Sequence, residues 1–221
     1  MPPQLMIQLT SIVFRGRFNP AIVQPHWLAA QGLIGPSEAD GATIDIIHPQ
    51  VTQFRTEWLH INVSPDRFQF ATTQEAYFEL LRDLAVNVFT VLRYTPLEAF
   101  GVNREFHFRL RSDTALHEIR NTLAPRRCWE DLLSNPGMKS LVVQGARTDG
   151  RTGYVGVTVE ASVKVIPGVY VAVNDHYQLS PALESPASAE HVIEIIPERW
   201  TSSMSEGLTI AEKIASLGDV A

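Results

Sequence analysis

The sequence predicts an α+β protein. Its largely antiparallel sheet is covered by helices on one face and built from two topologically similar halves, each ordered strand, helix, three strands, long helix. Three observations carry this expectation. Apolar and polar residues alternate with a period of two, most clearly where Val155, Val157, Val159, Ala161, Val163 and Val165 alternate with Gly156, Thr158, Glu160, Ser162 and Lys164. Turn chemistry at Ser64-Pro65-Asp66, Asp149-Gly150 and Pro167-Gly168 joins neighbouring runs. Two longer stretches place apolar residues at helical spacing.

In order, Leu5, Ile7 and Leu9 alternate and then change phase to Ile12, Phe14 and Phe18, which predicts a strand bulged near Thr10 and Ser11. Pro25 to Gln31 is expected as a short helix stopped by Gly32. Thr43 to Ile47, Phe54 to Asn62 and Arg67 to Thr72 are strand-like. Thr72 and Glu75 then have the spacing of a capping box ahead of a helix from Thr73 to Arg93.

The second half opens with Phe106, Phe108 and Leu110 alternating with His107, Arg109 and Arg111, an apolar face backed by a basic one. Ser112 caps a helix carrying Leu116, Ile119 and Leu123; Pro125 interrupts it before a second piece bearing Trp129, Leu132 and Leu133. Strands are expected from Met138 to Arg147, over the valine run, and through Val169, Val171 and Val173. A helical tail opens at Ser185-Pro186 and is kinked or broken at Pro197. The halves are residues 1–95 and 96–221, with the boundary near Thr95 to Phe100. No glycine- or serine-rich linker separates them, so a shared core is expected.

With 221 residues, 45% of them hydrophobic, the chain can bury a continuous core. The net charge of -6 opposes nucleic-acid binding, which begins with a surplus of cations. The opening MPPQLMIQLT lacks the marks of a secretory signal, and no apolar run approaches the roughly 20 residues that cross a bilayer. A lone Cys128 fits a reducing compartment, so a cytoplasmic protein without membrane contact is expected.

The most suggestive polar pair is Asp175-His176. Asp175 is in phase with Val169, Val171, Val173 and Tyr177, whereas His176 shares the other face with Tyr170, Ala172 and Asn174. Strand neighbours point to opposite faces, so the two make at most a polar pocket and not an acid-base dyad, and Asp175 needs an Arg or Tyr donor. The stretch GARTDGRT imitates a phosphate loop but has Arg151 at the lysine position and strands on both sides, so it is expected as a hairpin. His117-Glu118 begins a zinc motif that Asn121 ends. Cys128 beside Arg126 and Arg127 has no local base. No metal and no cofactor is expected. Arg104, Arg109, Arg111, Arg120, Arg126 and Arg127 concentrate positive charge against a glutamate-rich tail; they either pair with it or form a docking face for an acidic partner.

The succession VSPDRFQFATTQ, LRYTPLEAFGVNREFHF and VYVAVNDHYQL resembles a sporadically distributed, uncharacterised prokaryotic protein family. Leu92, Arg93 and Tyr94 match its L-R-Y-x-N strand, with Asn103 delayed by an insertion. In layout alone, strands before a long helix are similar to SecB-type export chaperones. That likeness implies holding of other chains without catalysis. The expected function is therefore a non-catalytic protein-binding or assembly module, chaperone-like or self-associating, with His107, Arg109 and Arg111 as the candidate partner-binding residues. The alternative is an enzyme with a pocket between the halves, using Asp175, His176, His107 and the arginines on a small anionic substrate.

Overall fold

A computed structural model describes residues 2–179 and 189–219. Its elements run β1 (Gln4–Gly16), α1 (Pro25–Ala30), α2 (Pro36–Asp40), β2 (Thr43–His48), β3 (Val51–Arg55), β4 (His60–Ser64), β5 (Arg67–Thr72), α3 (Phe78–Val91), β6 (Leu97–Arg109), α4 (Asp113–Leu123), β7 (Ser140–Ala146), β8 (Gly153–Ala161), β9 (Gly168–Gln178) and α5 (Glu190–Ala215). The strands form one antiparallel sheet in the order β2-β3-β4-β5-β1-β6-β9-β8-β7. The α+β class and the antiparallel sheet agree with the sequence expectation.

β1 and β6 pair at the centre, from Gln4 opposite Arg109 to Gly16 opposite Leu97. Each is flanked on its other side by the last strand of its own half, β5 beside β1 and β9 beside β6. Both central strands send alternate residues beneath the helices: Ile12 and Phe14 from β1, and Phe100, Val102, Phe106 and Phe108 from β6, are buried there. The larger apolar cluster joins β1, β4, β5, α3 and the first turns of α5, and it takes Leu97, Phe100 and Tyr177 from beyond the expected boundary. A smaller one joins the far end of β6 to β9, α4 and the end of α5.

Several local expectations shift, each for a physical reason. The bulge of β1 lies at Met6, not at Thr10 and Ser11. Leu5 is on the helix side before it, Ile7 and Leu9 face the open side after it, and Ile12 resumes the helix side, which explains the change of phase. The run Phe54 to Asn62 is two strands. Its centre turns because Glu38 of α2 accepts hydrogen bonds from Thr56 Oγ1 at 2.9 Å and Trp58 Nε1 at 2.8 Å. The first half thus has four strands after its short helices instead of three.

The capping box does not close: Thr72 Oγ1 accepts from the Gln74 amide, while Glu75 accepts from Gln8 across the sheet at 2.9 Å. Ser112 does cap α4, accepting from the Ala115 amide. The expected helix at Trp129 to Leu133 is only a turn, with all three apolar side chains exposed. The valine run stops at Ala161, because the Ser162 hydroxyl accepts from the Lys164 and Val165 amides and reverses the chain, leaving Val163 85% exposed. The start of the tail helix at Ser185-Pro186 lies outside the described residues. From Glu190 α5 continues unbroken past Pro197.

Phe14 sits where the sheet meets α3, its ring 4.2 Å from that of Phe89 and 6.1 Å from that of Phe100. Phe14→Ala is expected to lower stability by about 3–5 kcal/mol, read from the urea midpoint at unchanged slope.

Candidate functional site

The strand geometry separates Asp175 from His176 as the alternation requires. Asp175 points beneath the helices, 8% exposed, into a built polar cluster. Its carboxylate accepts from Arg147 Nη1, from Ser203 Oγ of α5 and from Tyr177 Oη, the last at 3.1 Å. Arg147 also forks onto Asp149, Nε to Oδ1 at 3.0 Å and Nη2 to Oδ2 at 2.7 Å, and lies 3.6 Å over the Tyr177 ring. Arg199 Nε approaches Asp149 Oδ2 to 3.2 Å.

Two guanidinium groups thus balance two carboxylates. Burial alone would lower the Arg147 pKa, but its bonds to Asp149 and Asp175 carry it above the ordinary range. With three donors on it, Asp175 is held as a structural acceptor beneath the helices. Periodicity flagged Asp175 as needing an Arg or Tyr donor. It did not identify Arg147 or Ser203, which lie 28 positions away on either side. The paired register of β7, β8 and β9 would have found Arg147, which has the parity of Gly145, opposite Val155, itself opposite Asp175.

His176 lies on the open face, in a groove of about 520 Å³ that crosses the β1–β6 junction and takes residues from both halves. Its ring stacks on Tyr154 with centroids 4.5 Å apart. Gly101 and Gly156 form the floor; a Cβ at Gly101 would meet Asn174 Oδ1 at 2.8 Å and push that side chain aside. That oxygen is buried and has no donor. Arg67 reaches along one end, bonded to Gln69 at 2.9 Å. Burial pushes the His176 pKa down, which keeps its imidazole neutral. The groove offers amides, a stacked ring pair, the guanidinium groups of Arg15 and Arg67 and the carboxylate of Glu105, a surface for holding a polar ligand.

The basic face expected at His107, Arg109 and Arg111 is not one surface. His107 is buried, its Nδ1 at 2.8 Å from Ser162 Oγ. The hydroxyl already accepts from two amides, so it donates to Nδ1 of a neutral ring; burial, then the charge of Lys164, lowers the His107 pKa. Arg109 is exposed at the end of β6. Arg111 lies beyond the strand and turns to the helix side, donating to the Gly218 carbonyl at 3.0 Å and reaching Glu118 at 3.4 Å.

Arg104 is also drawn inside, between the rings of Phe78 and Phe106, donating to the Met204 carbonyl at 2.8 Å and to Gln8 Oε1 at 2.9 Å. Burial lowers its pKa to about 10, so it stays charged at neutral pH. Among the arginines grouped by sequence, Arg120, Arg126 and Arg127 alone come together, in a cleft beside α4.

The two sheet edges differ. β2 carries Asp45 at a bulge, paired to Arg55 at 3.4 Å. β7 reads SLVVQGA and has neither charge nor bulge, with Val142 69% and Val143 55% exposed. Among the described residues no cluster of His, Cys, Asp and Glu could hold a metal ion, and no helix is long and apolar enough to cross a membrane. Neither known protein families nor curated proteins provide a match to the chain.

The rings of His107 and His176 are both expected to titrate below the ordinary value of 6.5 in a proton NMR titration. Because the folded state holds them neutral, their contribution to stability is present above that value and is lost as pH falls through the folded pKa. Asp149 is drawn to about 2, first by its bonds from Arg147. Its contribution is complete above the ordinary 3.8 and lost as pH falls through about 2, so Asp149→Asn should flatten that limb of an acid-unfolding curve.

Proposed function

We propose that the chain is a non-catalytic protein-binding module that associates by adding a strand to β7, and that a second copy of itself is the partner. The observation that carries this reading is the bare edge: Ser140–Ala146 has no charge, proline or bulge along its length, whereas β2 has both a bulge and an ion pair. Sheets guard their edges with such features, and an edge without them is a template for another strand.

The sequence of β7 is also complementary to itself. In a twofold antiparallel pair centred on Val143, Leu141 falls opposite Gly145, where an added side chain would find open space, and Val142 falls opposite Gln144. No like charges oppose one another within the strand, and just outside it Lys139 faces an Arg147 already neutralised by Asp149. An edge alone falls short of the roughly 800 Å² per partner of a stable interface. Exposed Trp129, Leu132 and Leu133 on the segment leading into β7, and Val163 and Ile166 at the same end of the sheet, supply further apolar area.

The order outward from β1 and β6 fits an internal duplication, with β7 closing the second half. A foreign partner would add its strand at the same edge, which is the chaperone-like form of the activity. The lone Cys128 fits a cytoplasmic setting. An enzyme acting on a small anion is the second reading, favoured by Arg67 and His176 in a groove that spans both halves; the capture of Asp175 by three donors weighs against it.

Light scattering across the micromolar range should give a dimer for the wild type and a monomer for Val143→Lys, with the circular dichroism spectrum and melting transition of the variant intact. A wild-type monomer, or a dimer that Val143→Lys leaves unchanged, overturns self-association at β7.

A further inference from the structure

We infer that the cleft between α4 and the 124–138 segment is a binding site for a small phosphorylated molecule with an apolar body. It is distinct from both the groove and the β7 edge. The cleft encloses about 800 Å³, within the range of roughly 300–1,000 Å³ typical of small-molecule sites and far more than a bare inorganic ion fills.

Its cations come from two segments: Arg120 from α4, and Arg126 and Arg127 from the segment that folds back over it. Arg120 and Arg127 form no ion pair among the described residues, and Arg120 Nε is buried without an acceptor. Of the two carboxylates in the lining, Glu118 is shared with Arg111 at 3.4 Å, which leaves Glu130 against three guanidinium groups. In a chain of net charge -6 this is a local reversal of sign.

Two hydrogen bonds shape the frame of the cleft. Asn121 Oδ1 accepts from the Arg126 amide at 2.9 Å, and the Arg126 guanidinium donates to Asn135 Oδ1, also at 2.9 Å. The first ties the start of the segment to α4, and the second ties its far end back to that start.

The chemistry selects the ligand class. A carboxylate has two oxygens and is satisfied by one guanidinium fork. A phosphate monoester has three terminal oxygens and about two negative charges, and can take forks from Arg120 and Arg127 together. A buried guanidinium N–H without an acceptor is costly, and a phosphoryl oxygen supplies that acceptor. The rest of the lining includes Ala124, Pro125, Pro136 and Met138, which give an organic body apolar surface to bury.

The test is isothermal titration of the full chain with phenyl phosphate, inorganic phosphate, phenylacetate and a single-stranded oligonucleotide, each at matched ionic strength. Saturable binding is expected, tightest for phenyl phosphate. Arg120→Gln and Arg127→Gln should each weaken it about tenfold or more, while Arg17→Gln on a distant surface leaves it unchanged. Arg127 is exposed, so its variant keeps the test decisive if Arg120→Gln fails to fold. The inference is overturned by no saturable heat, by equal affinity for phenylacetate, by tighter binding of the oligonucleotide, or by indifference to Arg127→Gln.

Discussion

Everything else in this molecule hangs on the pairing of β1 with β6. These are the two longest strands, 13 residues each, and they join the first and second halves of the chain along nearly their whole lengths. Because both are central, one face of each must be buried under helices, and the alternation along them decides which side chains enter the core. A one-residue slip would send Ile12, Phe14, Phe100 and Phe106 to the open side and bring Ser11, Asn103 and Glu105 beneath α3 and α5. The same pairing sets the limits of the sheet, leaving β2 and β7 as its two edges. The groove, the blunted edge and the bare edge are all consequences of it.

Between the two apolar clusters runs a seam of charge that hydrophobic packing alone would not produce. Arg104 and Asp175 both point beneath the helices, and both are held by α5: Met204 gives its carbonyl to Arg104, and Ser203 gives its hydroxyl to Asp175. Buried polar groups cost stability unless their bonds are made, and such a network is weak evidence for a more stable fold. What it supplies is direction. α5 is 26 residues long and crosses both clusters, and its apolar stripe sets which face is buried but holds its position along the sheet less sharply than directional bonds do. Directional bonds at Ser203 and Met204 are satisfied in one register only, so they fix the helix at its middle while its ends pack on either cluster.

What could be read from the sequence follows the range over which each interaction acts. Alternation is local, so the opposite faces of Asp175 and His176, the end of β6 from Phe106, the strand β9, the Ser112 cap and the Asp149-Gly150 hairpin were legible, while the first part of β6 from Leu97 was not. Where a distant group decides, the periodic pattern misled. Phe54 to Asn62 looks like one strand because nothing nearby announces Glu38, 18 positions before Thr56 and 20 before Trp58. The basic row at His107, Arg109 and Arg111 looks like one surface because the sequence does not show that Ser162 buries the first or that the strand ends before the last. Arg104 reads as a surface charge and is a core residue, since its acceptor on Gln8 lies 96 positions away. The groove was half legible: His176 was placed on the open face, while Tyr154 and the glycine floor depend on pairings between three strands.

The proposed edge and the proposed cleft are not independent in space. The segment that carries Asn135, Pro136 and Met138 into the cleft lining becomes β7 at Ser140, two residues later. Its middle leaves the side chains of Trp129, Leu132 and Leu133 exposed. Ordering such a segment costs conformational entropy, and that cost is met once whichever event comes first. A ligand drawn in by Arg120 and Arg127 would fix the approach to β7 before a second strand arrives. By linkage, strand addition at β7 would favour the ligand by the same factor. The uncharged edge and the cationic cleft would then act as two inputs to one stretch of backbone, with the long loop as the element both bias.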